Sequence, residues 1–224
     1  MRRWFTLALL LVVTGVAIGG DIATFENLGF SRTADTFVFA QYGVGGAAGN
    51  PYAEIYVVDV PGNVFVSNGI FRLTSDAPLT LGQDGRGALY TVLGRARTLI
   101  ASRDVDHLTT GRPVYILVDG DEPRERLAFR DFHADARYEV RLSQQRRGEG
   151  DGVSAAFHID LTITRADDTV RTMRIGRPSL FRDGVTSYRI TQIVVGPDEA
   201  SVVFVVERRS PDGSVRYMVE TAAF

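Results

Sequence analysis

The chain has 224 residues, a formal net charge of −2 at pH 7 and no cysteine. It contains no lysine either, so all 25 of its basic residues are arginine. This composition excludes disulfide and thiol chemistry, a lysine Schiff base and the lysine-dependent phosphate loop, and a net charge near zero argues against a general nucleic-acid binder.

The first twenty residues have the pattern of a secretory signal peptide. Arg2 and Arg3 precede an apolar run over Trp4–Val16, and small residues follow it up to Gly20. The run is shorter than the about 20 residues that a transmembrane helix needs. We therefore predict a signal peptide over residues 1–20, export to the periplasm or the medium, and no membrane span after cleavage.

Residues 21–224 are long enough for one domain with a full apolar core. Strands are predicted over Thr36–Tyr42 and Glu54–Val60, and the second is apolar on both faces, which favours a central position in a sheet. Four of the eight residues in the connecting loop Gly43–Asn50 are glycine. Because the motifs of phosphate-binding loops are missing, this loop is interpreted as a hairpin connection.

One helix is predicted. Asp84 has the position of an N-cap residue, and the helical pattern continues to Ser102. The apolar residues of this segment recur at helical spacing and form one stripe: Leu89, Val92, Leu93, Ala96, Leu99 and Ile100. Before the helix, Val64–Leu73 has strand composition and is interrupted by a turn signal at Asn68-Gly69.

The clearest β-pattern lies in the middle of the chain, on both sides of a turn at Gly148–Gly152. Apolar and polar residues alternate before and after this turn, so a hairpin with one buried and one hydrated face is predicted. Its register pairs Val140 with Leu161 on the buried face. The same register places Arg141 opposite Asp160 on the hydrated face, and a third strand, at residues 170–175, completes a meander.

Three strands are predicted near the C-terminus, at Ser187–Val195, Ser201–Glu207 and Val215–Thr221. We expect the two terminal segments, residues 21–60 and 188–224, to pair as hairpins in one sheet, with residues 61–187 supplying the helix and the meander. The predicted fold class is mainly β with one long α-helix and antiparallel sheets.

Two resemblances are carried by motifs of the chain. Leu28-Gly29-Phe30-Ser31, Phe37-Val38-Phe39 and Ile55-Tyr56-Val57-Val58-Asp59 resemble single blades of the TolB-type WD40-like propellers, with Pro197-Asp198 in a fainter second copy. These segments cover about a third of the chain. The order of these motifs, followed by Phe157–Asp160 and Arg216–Thr221, resembles a bacterial family of predicted secreted proteins of unknown function over the whole mature chain. That resemblance implies export and one shared fold, and it carries no activity.

Two groups of residues are weak candidates for a metal site. Asp131, His133 and Asp135 alternate, so on a strand they would project from one face; in a polar turn they would be solvated instead. Asp119 and Asp121 stand in an acidic turn, although the complete calcium-binding loop motif is missing. No cofactor is predicted.

For catalysis, the only candidates are His158 and Asp160, on the hydrated face of the meander, together with His133 and Asp131. The alternative for these residues is an exposed polar surface. The first functional hypothesis is thus a non-catalytic module of the cell envelope that binds a protein or glycan, with the loops Gly43–Asn50 and Ser210–Gly213 as its contact surface. A hydrolase that uses the carboxylates and histidines on an envelope glycan or peptide, and a sensor of a metal or small ligand, remain as alternatives.

Overall fold

A computed structural model describes residues 20–45, 49–118 and 120–224. Over these residues the chain is mainly β, with antiparallel sheets and a single α-helix, which confirms the predicted fold class. Residues 1–19, on which the predicted signal peptide falls, lie outside the described part. No helix in the described ranges has the length and apolar character that would let it cross a bilayer.

The first sheet has five strands in the order β4-β3-β2-β1-β5. Its strands are β1 (Thr24–Ser31), β2 (Thr36–Gly45), β3 (Asn50–Asp59), β4 (Val64–Thr74) and β5 (Val105–Asp106). As the sequence predicted, the strand that is apolar on both faces, β3, lies inside the sheet and is buried on both sides. Asn68-Gly69 is not a turn, since β4 continues through these residues. They lie in a β-bulge, which is recognised by the shift of the register with β3 between Tyr56 and Val58.

The helix α1 (Arg86–Ser102) packs on one face of this sheet. The N-cap residue of the helix is Gly85, one position after the predicted Asp84, and it has no side-chain cap. The Asp84 carboxylate nevertheless accepts a hydrogen bond from the backbone N–H of Arg86 at 2.9 Å. Leu89, Val92 and Ala96 of the apolar stripe are buried against β2 and β3. Docking of this stripe stabilises a helix that glycines weaken.

The middle sheet has four strands in the order β14-β13-β12-β6. Its strands are β6 (Arg112–Ile116), β12 (Ser187–Val195), β13 (Ser201–Arg209) and β14 (Val215–Ala223). Residues 201–207 of β13 are buried without interruption, in agreement with their apolar pattern. Alternate side chains of β13 therefore belong to two different cores.

The third sheet has the order β10-β9-β8-β7, and the short strand β11 pairs with β9. Its strands are β7 (Arg126–Asp131), β8 (Ala136–Arg147), β9 (Ser154–Thr164), β10 (Val170–Ile175) and β11 (Arg182–Asp183). The predicted register is confirmed, because Val140 pairs with Leu161 and Arg141 with Asp160. No strand of the described chain pairs with the outer edge of β10.

The three sheets and the helix form four stacked layers. Phe37, Phe39 and Val58 of the first sheet pack against Val203 and Val205 on one face of the middle sheet. On the opposite face of the middle sheet, a third cluster joins Phe204 and Val206 to the buried residues of the third sheet. The middle sheet is therefore covered on both sides.

The expected pairing of the two terminal segments in one sheet is wrong. The N-terminal segment belongs to the first sheet and the C-terminal segment to the middle sheet, and these sheets meet face to face. Among the described residues, backbone pairing between the two ends is limited to one parallel bridge from Ile22 to Val215. The apolar pattern correctly predicted that these strands are buried on both faces. It does not show whether the two ends pair within one sheet or belong to two sheets that pack face to face.

Candidate functional site

A cleft of about 670 Å³, which we call the three-sheet cleft, opens where the edges of all three sheets approach one another. Its sides come from the turn between β3 and β4, from the end of β10 with the segment that follows it, and from the last residues of β14. β4, β10 and β14 are each the outermost strand of their sheet. The cleft is thus a junction of sheet edges, a place where polar main chain and apolar side chains lie side by side.

Asn63 fastens the first sheet to the middle sheet at this junction. Its backbone has φ 50°, a left-handed conformation that asparagine adopts more readily than most residues. The side-chain Oδ1 accepts a hydrogen bond from the N–H of Thr221 at 2.8 Å, and Nδ2 donates to Glu220 Oε2 at 2.5 Å. One amide therefore satisfies an edge N–H of β14 and holds one carboxylate oxygen.

Glu220 is the most unusual polar residue of the cleft. Only 6% of it is exposed, and burial raises the pKa of its carboxyl group above the ordinary value, against the opposing effects of Asn63 and two arginines. Within the described residues, Oε1 accepts no hydrogen bond; its charged neighbour is Arg182 at 3.9 Å. A Cβ at Gly176, where φ is +87°, would lie 3.4 Å from the carboxyl carbon, so glycine keeps this approach open.

Arg182 is held in place by aromatic rings. Its guanidinium lies 5.6 Å from the ring centre of Phe157 and 6.0 Å from that of Tyr188. The hydroxyl of Tyr188 in turn donates to the carbonyl of Ala155 at 3.0 Å. Cation–π contacts of this kind orient the guanidinium without neutralising it, so it retains donors that can face the cleft.

Apolar side chains also line the cleft and form its apolar wall. Val64, Phe65 and Leu180 line it and are 45%, 47% and 42% exposed. Met173 and Met218 continue the same wall and are partly buried. Large apolar side chains that are half exposed around a polar centre are typical of a binding cleft.

The structure brings His158 and Asp160 together on the exposed face of the third sheet. His158 Nε2 lies 3.4 Å from Asp160 Oδ2, and Arg174 donates to the other oxygen at 2.8 Å. The hydrogen bond from Arg174 lowers the pKa of Asp160. Ser143 pairs with His158 across the strands. Among the described residues, no hydrogen bond joins the Ser143 hydroxyl to the His158 ring.

Asp131, His133 and Asp135 do not share a strand face. Asp131 ends β7, and the residues after it form the turn to β8. Both oxygens of Asp131 accept hydrogen bonds from Arg112 at 2.8 Å. Although burial opposes it, these bonds and the N–H groups of His133 and Ala134 keep the pKa of Asp131 below its usual value.

The second metal candidate falls partly outside the described residues. Asp119 is not described, and Asp121 is exposed in a turn in which its N–H donates to the carbonyl of Val118. In the described ranges, no group of three or more histidine and acidic side chains is arranged to hold a metal ion.

The two loops predicted as a contact surface meet at the other end of β14. Asp21 accepts hydrogen bonds from the hydroxyl of Tyr52 and the guanidinium of Arg216, and its N–H donates to Ser214. Gly45, in the described part of Gly43–Asn50, lies against the Asp21 carboxylate. These paired side chains flank the two loops, and within the described part of Gly43–Asn50 the buried Oδ1 of Asn50 has no hydrogen-bond partner.

Sequence reasoning did not find Asn63, Glu220 or Arg182. Asn63 and Glu220 are 157 positions apart, and each stands in an ordinary local pattern, a turn and an alternating strand. The one available signal was a glutamate between Val219 and Thr221 in the last predicted strand.

Comparison with known proteins agrees with one of the two resemblances. Residues 38–223 match the family described as "Predicted secreted protein (DUF2259)", and a search of curated proteins finds no match. The propeller-blade resemblance is not confirmed, and the sheets stack in layers. The family description supports export. Because its model covers most of the sequence, the chain belongs to this family of predicted secreted proteins, whose function is unknown.

Proposed function

We propose that the chain is an exported, non-catalytic binding module of the cell envelope, and that its three-sheet cleft takes up an extended peptide segment of a partner protein. The observation that carries this proposal is the composition of the cleft. The half-exposed apolar wall lines the cleft together with one buried carboxylate, which has an oxygen free to accept a further hydrogen bond.

The apolar wall favours a peptide over a glycan. Phe65, Leu180 and Val64 expose large parts of their side chains to the cleft. Alternate side chains of an extended peptide would cover this surface, and the removal of apolar area from water stabilises such a complex. A neutral glycan would bring mostly hydroxyl groups to these apolar side chains, which cannot form hydrogen bonds with them.

The free edge of β10 supplies the second part of the recognition. Its outer main-chain groups have no partner strand in the described structure, and its last residues line the cleft. An incoming strand can pair with such an edge, with its affinity coming from main-chain hydrogen bonds and its specificity from alternate side chains. Arg171, which is exposed on β10, favours an acidic residue in the incoming strand.

Glu220 and Arg182 would then select a polar group at the end of the cleft. Glu220 Oε1 can accept from a peptide N–H, hydroxyl or amine, and the Arg182 guanidinium can donate to a carbonyl. A buried carboxylate without a full set of hydrogen bonds costs stability, so a ligand donor would bind there favourably.

The hydrolase alternative has less support from this cleft. Glycoside hydrolysis uses two carboxyl groups on opposite sides of the bond, whereas Glu220 is the one acidic residue in the described lining. His158 and Asp160 lie on a sheet face and are not part of that lining.

Selection from a displayed peptide library against the mature chain tests the proposal. Selected peptides should carry apolar residues at alternate positions. Phe65→Asp should weaken their binding at least tenfold, and so should Leu180→Asp, a variant outside the strands. Phe132→Asp is the matched control, because Phe132 is 83% exposed at a distant turn.

Equal loss in the control, or full binding by both cleft variants, would contradict a peptide site in this cleft. Cleavage of a peptide or glycan by the wild-type protein, abolished by Glu220→Gln, would favour the hydrolase instead. Thermal denaturation of each variant establishes that it is folded before its binding is compared.

A further inference from the structure

We infer a second binding site, for a linear acidic polysaccharide, on the exposed face of the third sheet. Leu127, Val140 and Leu161 point into the core. Their neighbours Arg126 and Arg141 therefore point outward, and both are exposed. This face is separate from the apolar wall of the three-sheet cleft.

Cross-strand register concentrates positive charge on this face. Arg126 pairs directly with Arg141, and Arg130 pairs directly with Arg137. Directly opposed like charges destabilise an antiparallel pair of strands. Two such pairs on adjacent strands concentrate guanidinium groups, so a bound anion would relieve their repulsion wherever the fold supplies no acidic partner.

Three of these arginines have no acidic partner in the described structure. Arg130 is paired with Asp135, and Arg174 at the edge of the sheet is paired with Asp160. Arg126, Arg137 and Arg141 form no ion pair among the described residues. Their donors are available in the fork geometry that binds a carboxylate through two hydrogen bonds.

A shallow depression of about 390 Å³ lies beside the pair of Arg126 and Arg141, which lines it, whereas Arg130 and Arg137 lie outside its lining. Ala128, Glu139 and Thr162 form the row of the sheet that separates the pairs. Arg126 and Arg130 are four residues apart, which corresponds to about 13 Å along a strand. A small side chain at Ala128 leaves space above this row for a sugar ring.

The acidic residues of the depression decide between classes of polyanion. Glu139 and Asp160 line it together with the arginines. A polymer with an anionic group on every unit and few hydroxyls, such as polyphosphate, would meet repulsion at both carboxylates. A uronic-acid polysaccharide would place its carboxylates on the arginine pairs and donate its hydroxyls to Glu139 and Asp160, so it matches both signs of charge.

Binding of a tetramer of galacturonic acid to the whole mature chain, measured by calorimetry, tests this inference. The double variant Arg126→Gln/Arg141→Gln should weaken binding at least tenfold. Arg95→Gln/Arg97→Gln is the matched control, since it removes the same charge from exposed positions of the helix and should change affinity less than twofold. The fully methyl-esterified tetramer should bind at least tenfold more weakly than the acid.

The site is distinct from the peptide cleft, so Phe65→Asp should leave tetramer binding unchanged. Failure of the wild-type chain to bind the tetramer, equal loss in both double variants, or tighter binding of polyphosphate would overturn the inference. Because the substitutions are at exposed positions and relieve repulsion, the thermal denaturation of the first double variant should be unchanged or shifted upward, which excludes unfolding as the cause of lost binding.

Discussion

The middle and third sheets have similar numbers of strands but very different surroundings. The middle sheet is covered on both faces, and residues 201–207 of β13 are all buried. The third sheet is covered on one face, and buried and accessible residues alternate along β8 and in the second half of β9. The buried centre of this molecule and its accessible surfaces are thus built from the same kind of strand. Whether a strand is buried or accessible depends on the layers that cover its faces.

The largest expected effect separates these two environments. Phe204→Ala in β13 should lower the free energy of unfolding by about 3–5 kcal/mol, and its neighbour Val203→Ala by roughly 2 kcal/mol, because each faces a core. In β9, Leu161→Ala should cost about 2–5 kcal/mol, but its neighbour Thr162→Ala only about 0.5 kcal/mol or less. Urea unfolding measures all four values. A cost at Val203 as small as that at Thr162 would contradict the covered middle sheet.

The same contrast applies to ion pairs. Arg112→Ala should cost about 3–5 kcal/mol, because it leaves the Asp131 carboxylate, 3% exposed, without its partner. Arg174→Ala is the control: its partner Asp160 is 34% exposed, and we expect a cost below about 1 kcal/mol. Equal costs in urea unfolding would mean that the two pairs have the same environment.

Glu220 makes the stability of the chain depend on pH through the three-sheet cleft. Its pKa is higher in the folded chain than in the unfolded one, so its effect on stability is most favourable below the ordinary glutamate pKa of 4.5 and is lost as the pH rises through the folded pKa. Glu220→Gln should therefore gain stability relative to the wild type as the pH rises above about 4.5. Unfolding in urea between pH 4 and 8 measures this difference, and Glu139→Gln controls for the loss of one charge. A relative gain toward acid pH would have the wrong sign.

The smallest effect concerns the exposed arginines of the third sheet. Arg126→Glu replaces a like-charge pair with an opposite-charge pair opposite Arg141. We expect the free energy of unfolding to increase by about 0.2–1 kcal/mol, with a smaller gain at high salt because exposed charges are screened. A loss of stability would show that the two guanidinium groups do not repel each other.

These predictions also mark what the sequence could and could not reveal. The pairing of Arg141 with Asp160 and the buried stripe of α1 were predictable, because each depends on the periodicity of neighbouring residues. The stacking of the terminal segments was not, since burial on both faces does not distinguish a paired strand from a covering layer. The cleft was not predictable either, because Asn63 and Glu220 meet only through the packing of two sheets.

Hydrogen–deuterium exchange of the chain with and without a selected peptide tests the central claim, that a partner segment enters the three-sheet cleft along the edge of β10. We predict slower exchange at Val170–Ile175 and Met218–Ala223 in the complex, with no change in the helix at Arg86–Ser102. Slower exchange confined to Gly43–Asn50 and Ser210–Gly213 would place the peptide at the other end of β14 and contradict the account.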